Sequence, residues 1–377
     1  MNYAVVGVGE WGVNHARIGA ELRDAGLVDR LVCCDTDADR ARAVAAEFDA
    51  EAATTPERLP SLGVDAATVA TPTATHATVA RPLLHAGVDL LIEKPLAPDA
   101  ETAWDLVARA ERAGCTLAVG HVFRYHPALV ELRRRVRAGD LGDLKYLSTQ
   151  RFAFRPPRET TGALFSLAVH DVDAYAYLLD REPDSVFCRR DAVVRPDVDE
   201  TASLTLGYGQ TTGRIDVSWQ VPVFGKTRQL AVVGTEGAAF VDYTETNRLE
   251  LYDTRIVEDA GESTAPHEQT ALGTVGGGPE VVRPPDAEPL RAEVEAFLAA
   301  AAGESDPLRN DGVVGARAVE LLELAALSSD QRRVVTEIPP SPGRWRANGH
   351  DPARAAALAS DVTERDRDGR RQSEEAE

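Results

Sequence analysis

The sequence predicts a two-domain α/β plus α+β protein: a parallel, doubly wound nucleotide-binding domain followed by a domain built on a large, mostly antiparallel sheet. Three observations carry this. A glycine motif directly follows an apolar run at the start of the chain. Short apolar runs then alternate with amphipathic stretches as far as residue 121. From residue 144 the pattern changes to alternating strand-like segments separated by turn residues. Short strands buried on both faces and joined by helices require a parallel sheet with right-handed crossovers.

In the first 121 residues the apolar runs lie at 3–6, 31–34, 66–70, 88–92 and 116–119. Helical patterns fill 14–24, 37–48, 75–86 and 99–113 between them. Asp99 or Pro98 can open the fourth helix, and Gly26, Gly87 and Gly114 stand where C-terminal caps belong. After a helix at 126–138, which Gly139 ends, strands are expected at 144–154, 185–194, 202–208, 212–219, 228–233, 238–243 and 249–251. A helical stretch at 165–179 is embedded among them. Residues 258–289, rich in Gly, Pro and acids, read as a loop. Helical stretches at 290–302 and 312–329 follow, with apolar spacing suited to packing back on the body of the protein. The expected organisation is a dinucleotide-binding domain over 1–121, a substrate-binding and oligomerisation domain over 122–345 that includes those helices, and a charged, disordered tail over 349–377.

Composition narrows the function. Of 377 residues, 61 are acidic and 41 basic, for a formal net charge of -20. Such a surface repels nucleic acid and anionic membranes, so neither is an expected partner. Lys94, Lys145 and Lys226 are the chain's lysines, and every other basic side chain is arginine or histidine. An acidic, lysine-poor, alanine-rich chain fits a salt-rich cytoplasm, where screening mutes self-repulsion; a merely acidic protein from a GC-rich genome fits as well. No long apolar run and no basic leader is found, so the expected location is the cytoplasm. Cys33, Cys34, Cys115 and Cys188 lack metal-site spacing and read as reduced thiols. No metal is expected; His170, Asp171 and Asp173 offer donors, but neighbouring residues on a helix point apart.

Gly7-Val8-Gly9-Glu10-Trp11-Gly12 fits the G-x-G-x-x-G pattern in the context that gives it meaning, after a strand and opening a helix. Gly7 permits the tight turn, Gly9 the approach of a pyrophosphate, and Gly12 close packing of helix on strand. The helix N-terminus offers N–H donors and a partial positive charge to phosphates. Glu10 and Trp11 lie within this cofactor-binding turn. Asp35 ends the second strand, placed to accept hydrogen bonds from the adenosine ribose and to repel a 2′-phosphate, or else to cap the next helix. Thr36 and Asp37 supply no phosphate-binding group beside it, so NAD is the expected cofactor.

Lys94, in Glu93-Lys94-Pro95-Leu96, follows the apolar run at 88–92, at the carboxyl edge where ligands bind in such sheets. In a chain that otherwise uses arginine, a lysine is wanted where a proton must be passed, because a desolvated ammonium can lose one and a guanidinium cannot. A plain surface lysine is the competing reading.

With Ala70-Thr71-Pro72-Thr73-x-x-His76, Gly120-His121-x-x-Arg124-Tyr125-x-Pro127 and His170-x-x-Asp173 following in order, residues 1–335 resemble the Gfo/Idh/MocA family of sugar and cyclitol dehydrogenases. The resemblance implies that Thr71, Pro72 and His76 border the nicotinamide half of the cofactor and that Glu93 lies near its ribose. Lys94 would orient or deprotonate a substrate hydroxyl, with His170 as acid/base partner. Arg124 and Tyr125 would open the substrate region, and Asp173 would hold His170 or contact the sugar. The family's usual Asp-x-Gly-x-His is replaced by Ser166-Leu167-Ala168-Val169-His170, which removes a carboxylate and argues against an inositol-type site. His170-Asp171-Val172-Asp173 resembles relatives that oxidise the 3-hydroxyl of UDP-linked amino sugars. The expected activity is NAD-dependent oxidation of a secondary hydroxyl on a sugar or nucleotide sugar, by a homodimer or homotetramer. A non-catalytic dinucleotide sensor of the same fold, and an NADP-linked or tightly cofactor-bound oxidoreductase, are the alternatives.

Overall fold

The computed structural model describes residues 1–157, 161–258, 272–304, 308–336 and 338–339. It resolves into two compact units. The first comprises Met1–Val122 and Leu290–Glu323, together with Pro339; the second comprises Phe123–Pro289 and Leu324–Ile338.

The first unit holds a parallel sheet of six strands: β1 (Asn2–Val6), β2 (Arg30–Cys34), β3 (Glu51–Ala53), β4 (Ala66–Val69), β5 (Asp89–Ile92) and β6 (Leu117–Val119). Their order is β3-β2-β1-β4-β5-β6, which reverses direction between β1 and β4. That switch point is where an open α/β sheet leaves a crevice at its carboxyl edge. Helices α1 (Gly12–Asp24), α2 (Ala38–Glu47), α3 (His76–His85) and α4 (Ala100–Ala113) make the crossovers. The strands are apolar because both faces are covered, and residues 4–6 of β1 are wholly or almost wholly buried. The expected helix ends are found: Asp99 accepts from the Thr102 N–H at 2.7 Å, and Gly114 takes the left-handed C-cap conformation. β3 was not anticipated.

Helix α7 (Pro289–Ala301) contributes Leu290, Val294, Phe297 and Leu298 to the core around Tyr3, Ile18 and Leu31 of the first unit. Burying each large apolar side chain is worth about 1.5–3 kcal/mol. The expected 122–345 boundary grouped this helix with the second domain; its apolar face fills the Rossmann core instead. Asn310 ties the same region down, donating to the Val119 carbonyl at 2.6 Å and to Glu293 at 3.1 Å. In α8 (Gly312–Gln331), residues to Glu323 group with the first unit and those from Leu324 with the second.

The second unit opens with α5 (Pro127–Ala138). Its main sheet contains β7 (Leu144–Ala153), β8 (Ser185–Asp191), β9 (Thr201–Tyr208), β10 (Thr211–Ser218), β11 (Lys226–Gly234), β12 (Ala238–Asp242) and β13 (Leu249–Tyr252). β14 (Arg255–Glu258) and β15 (Leu272–Val275) pair separately, and β16 (Glu280–Val282) joins the main sheet beside β13. β15 and β16 lie where a loop was expected, and β14 ends at its first residue. The eight-stranded order is β16-β13-β12-β11-β7-β10-β9-β8. Every neighbouring pair is antiparallel except β7 with β10. The expected helix at 165–179 is a π-helical segment, Leu164–Ala168, running into α6 (Val169–Leu179). Alternation along β7 sends Leu147, Thr149 and Arg151 to the buried face, where α6 lies: Thr149 donates to the Tyr175 hydroxyl at 2.9 Å. The expected tail at 349–377, with His350, and His267 in the 258–289 segment lie outside the described residues.

Candidate active site

In the first unit, the glycine turn lies between the ends of β1 and β4. Gly7 has φ 87°, a conformation that favours glycine, and a Cβ there would meet Thr71 Cγ2 at 2.8 Å and the Ala70 carbonyl carbon at 2.9 Å. A Cβ on Gly12 would collide with the Gly7 carbonyl oxygen, whereas one on Gly9 would have nothing within 4 Å. Gly9 therefore faces open space that its own fold does not fill. The N-terminus of α1 has no side-chain cap and no acidic residue in its first turn. The first N–H groups of a helix have no partner within it and are commonly met by a capping side chain. An uncapped end behind an open glycine is a cradle for phosphate, and the residues present fit a dinucleotide.

Asp35 is buried and accepts from the N–H groups of Val8 at 3.1 Å and Asp37 at 2.9 Å. The carboxylate is thus fixed beside the glycine turn. The cap of α2 is Asp37, whose Oδ1 accepts from the Asp39 and Arg40 N–H groups. Arg40 also reaches Asp35, with Nη1 at 3.4 Å from either carboxylate oxygen.

Glu93 is buried at the end of β5 and joins the two halves of this edge. Its Oε1 accepts from Trp11 Nε1 at 2.6 Å and lies 2.9 Å from His15 Nε2, while Oε2 accepts from the Lys94 N–H at 3.2 Å. Burial pushes this carboxyl up, but the hydrogen bond and charge of His15, the Lys94 ammonium and the Trp11 hydrogen bond outweigh it and hold it below its usual range. A Cβ on Gly120 would sit 2.9 Å from the Glu93 carboxyl, so glycine there makes the room. Glu93 was expected beside the nicotinamide ribose; its contacts within the unit make it a brace between α1 and β5. Trp11 is half-exposed and takes part through its indole N–H, and Glu10 is exposed.

Lys94 is half-buried directly after β5, and its peptide bond to Pro95 is cis. His76 is 1 % exposed: Nδ1 faces the carbonyl oxygens of Pro95 at 3.1 Å and Leu96 at 3.2 Å, and Nε2 faces that of Thr71 at 2.8 Å. Burial lowers its pKa against the pull of those carbonyls, so the neutral ring donates to one side at a time. His76, expected to border the cofactor, has both ring nitrogens engaged in joining the Thr71 loop to the Lys94-Pro95 turn. Thr71 and Pro72 stay at the surface of that loop, with Thr75 Oγ1 donating to Thr71 Oγ1 at 3.0 Å.

In the second unit, Arg124 and Asp173 form a buried ion pair, with Nε 2.8 Å and Nη2 2.7 Å from Asp173 Oδ1. These two expected substrate contacts hold each other. Tyr125 and Ser166 are buried, Ser166 within the π-helical segment. His170 is half-buried, its ring edge-on to Phe123 at 5.0 Å and 87°. Beside it, Arg151 and Asp171 form a second buried pair, Nε lying 2.8 Å from Oδ1 and 2.7 Å from Oδ2. Sequence reasoning had no role for Arg151, Phe123, His126 or Tyr243, which surround this pair. Among the described residues, no cluster of His, Cys, Asp and Glu is suited to a metal ion, and no helix is long and apolar enough to cross a membrane.

Residues 1–121 match the model of the oxidoreductase family with an NAD-binding Rossmann fold, GFO_IDH_MocA, and residues 129–240 match the GFO/IDH/MocA C-terminal domain. The chain is 34% identical to the UDP-N-acetylglucosamine 3-dehydrogenase of Acidithiobacillus ferrooxidans over 84% of its own length and 93% of that protein. It belongs to the Gfo/Idh/MocA family. The scyllo-inositol 2-dehydrogenase (NAD(+)) of Bacillus subtilis is 29% identical over 63% of this chain and 72% of its own. Among solved structures, UDP-N-acetylglucosamine 3-dehydrogenase GnnA from A. ferrooxidans superposes with a TM-score of 0.73 at 29% identity, covering 88% of this chain and 98% of that one. As a Gfo/Idh/MocA protein the chain is an NAD-linked oxidoreductase acting on CH–OH groups, of the sugar, nucleotide-sugar or inositol dehydrogenase type.

Proposed function

We propose that the protein oxidises a secondary hydroxyl of a nucleotide sugar, with Lys94 and His170 handling the hydroxyl proton. The cofactor supplies the hydride chemistry when bound; the chain's residues orient and move the proton. Gly7, Gly9, Gly12 and the α1 N-terminus receive the pyrophosphate, and Asp35 receives the adenosine ribose, with Thr71 and Pro72 toward the nicotinamide. Lys94 carries the reading: it is one of three lysines, half-buried at the carboxyl end of β5, and braced through Glu93 and His76. Its side-chain amine, in the neutral form, orients the substrate hydroxyl and takes its proton, becoming the ammonium, as hydride leaves the carbon for the nicotinamide. His170 serves as the second acid/base group. Arg124, Tyr125 and Asp173 shape the substrate region behind it, Arg124 and Asp173 as a fixed pair.

Two features favour a nucleotide sugar over an inositol. The relative of A. ferrooxidans acts on UDP-N-acetylglucosamine and matches across 93% of its length. Ser166 occupies the place where the family commonly carries a carboxylate. The test is NAD reduction with UDP-N-acetylglucosamine against myo- and scyllo-inositol, by wild type, Lys94→Ala and Lys94→Arg. Turnover of the nucleotide sugar by wild type, reduced by roughly 10²–10⁴-fold in both variants while NADH binding persists, is expected. Equal turnover by Lys94→Ala would overturn the assignment of the proton step, and preference for the inositols would overturn the substrate class.

A further inference from the structure

The buried face of the second unit's sheet carries a surplus of positive charge. Arg151 on β7 and Arg228 on β11 are direct cross-strand partners, so their side chains leave the sheet on the same face. Like charges so placed repel. One carboxylate, Asp171 of α6, is bonded to Arg151. Arg228 is half-buried and feels the Asp171 charge without forming a close ion pair with any carboxylate among the described residues. Two guanidinium groups thus share one carboxylate, in a chain whose net charge is -20.

The polar atoms around this pair are also unsatisfied. Arg151 Nη2, both ring nitrogens of His126 and the Tyr243 hydroxyl are buried without hydrogen-bond partners among the described residues. Arg151, His126 and Tyr243 are 3%, 2% and 6% exposed. All three gather on one aromatic ring: the Arg151 guanidinium lies 4.5 Å from the Phe123 centroid, and the rings of Tyr243 and His126 lie 4.6 Å and 6.2 Å from it. Leaving a buried donor unmade costs about 1–3 kcal/mol, so such groups rarely cluster without a partner to receive them.

We infer that this face is an oxyanion site: Arg151 Nη2, Arg228, the Tyr243 hydroxyl and one His126 N–H converge on a carboxylate or phosphoryl group. Such a group supplies acceptors to every one of these donors and neutralises the unshared guanidinium. His170 packs edge-on against the same Phe123 ring, so the anion belongs to the molecule being oxidised. The inference rests on the dehydrogenase reading and deepens it by naming the residues that receive the substrate's anionic group.

The test is calorimetric binding to the full chain with NADH present, using glucuronate as the carboxylate probe, UDP as the phosphoryl probe, and glucose as a neutral control. Wild type, Arg228→Gln and Arg228→Lys are compared. At least one anion is expected to bind wild type at least tenfold more tightly than Arg228→Gln, with Arg228→Lys intermediate and glucose indifferent to the change. The anion that shows the loss identifies the group. Equal binding of both anions by all three proteins, or no binding of either by wild type, would overturn the site. The readout needs no turnover. Arg228-dependent anion binding without UDP-N-acetylglucosamine oxidation would fail the proposed activity alone; oxidation with the same KM in Arg228→Gln would fail this site alone.

Discussion

Gly9 and Gly12 lie three residues apart in one turn, yet alanine should damage the protein in opposite ways at the two positions. Gly9 has an ordinary backbone conformation and open space where a Cβ would stand. Gly9→Ala therefore leaves the fold intact, and restricting the unfolded chain can even add a few tenths of a kcal/mol. The methyl instead occupies the space through which phosphate oxygens reach the turn. Losing one or two charge-assisted N–H bonds costs about 2–4 kcal/mol, which weakens NADH binding by roughly 30- to 1,000-fold. At Gly12 the added carbon collides with the Gly7 carbonyl, so helix and turn must separate. Overpacking of this kind costs about 1–3 kcal/mol and lowers Tm by several degrees. Thermal melts without cofactor and fluorescence titration with NADH separate the two. A Gly9→Ala protein that melts normally and binds NADH as tightly as wild type would refute the placement of the pyrophosphate.

Asp171→Asn leaves two buried-face guanidinium groups with no carboxylate, and breaking a buried pair costs about 3–5 kcal/mol. Chemical denaturation should show that loss; a change under about 1 kcal/mol would mean Arg151 finds another partner. His126 is lowered from 6.5 to about 4 by burial and by the Arg151 charge. The unfolded chain therefore binds a proton that the native chain does not, so its contribution to stability falls as pH drops from 6.5 to about 4 and is flat above that window. His126→Gln should remove that part of the pH dependence, and an unchanged melting curve against pH would contradict it. Glu93 acts in the same direction at lower pH: its folded pKa is depressed, so its stabilisation is present above about 4.5 and is lost as acid titrates the folded carboxyl. Glu93→Gln should flatten the fall in stability below pH 4.5, and an equally steep fall would exclude this carboxyl as its source.

Sequence pattern conveyed the parallel sheet because strands covered on both faces leave unmistakable apolar runs. β3 escaped because Glu51-Ala52-Ala53 is a short, largely exposed edge strand with no such run. The glycine turn, Asp35 and the Glu93-Lys94 element were legible as local chemistry. Their bracing was not: His15, Trp11 and His76 are brought to Glu93 and Pro95 by tertiary structure, across as many as 82 residues for Trp11. Arg124 and Asp173, 49 residues apart, were read as separate substrate contacts because nothing local announces an ion pair. Arg151 looked like one polar residue in an alternating strand. Its pairing with Asp171 depends on where α6 crosses the sheet. A low-periodicity, acid- and glycine-rich stretch hid β15 and β16, because short strands need partners rather than pattern to form.

Phe297 and its neighbours on α7 have an implication for how this protein is made. The nucleotide domain is completed by a segment encoded nearly three hundred positions after its first strand. During synthesis, the groove that receives Phe297 must wait, apolar and uncovered, while the whole intervening sheet domain leaves the ribosome. An isolated fragment ending at residue 121 would carry that same bare groove, and should be prone to self-association until a peptide spanning Leu290–Ala301 is added back in trans.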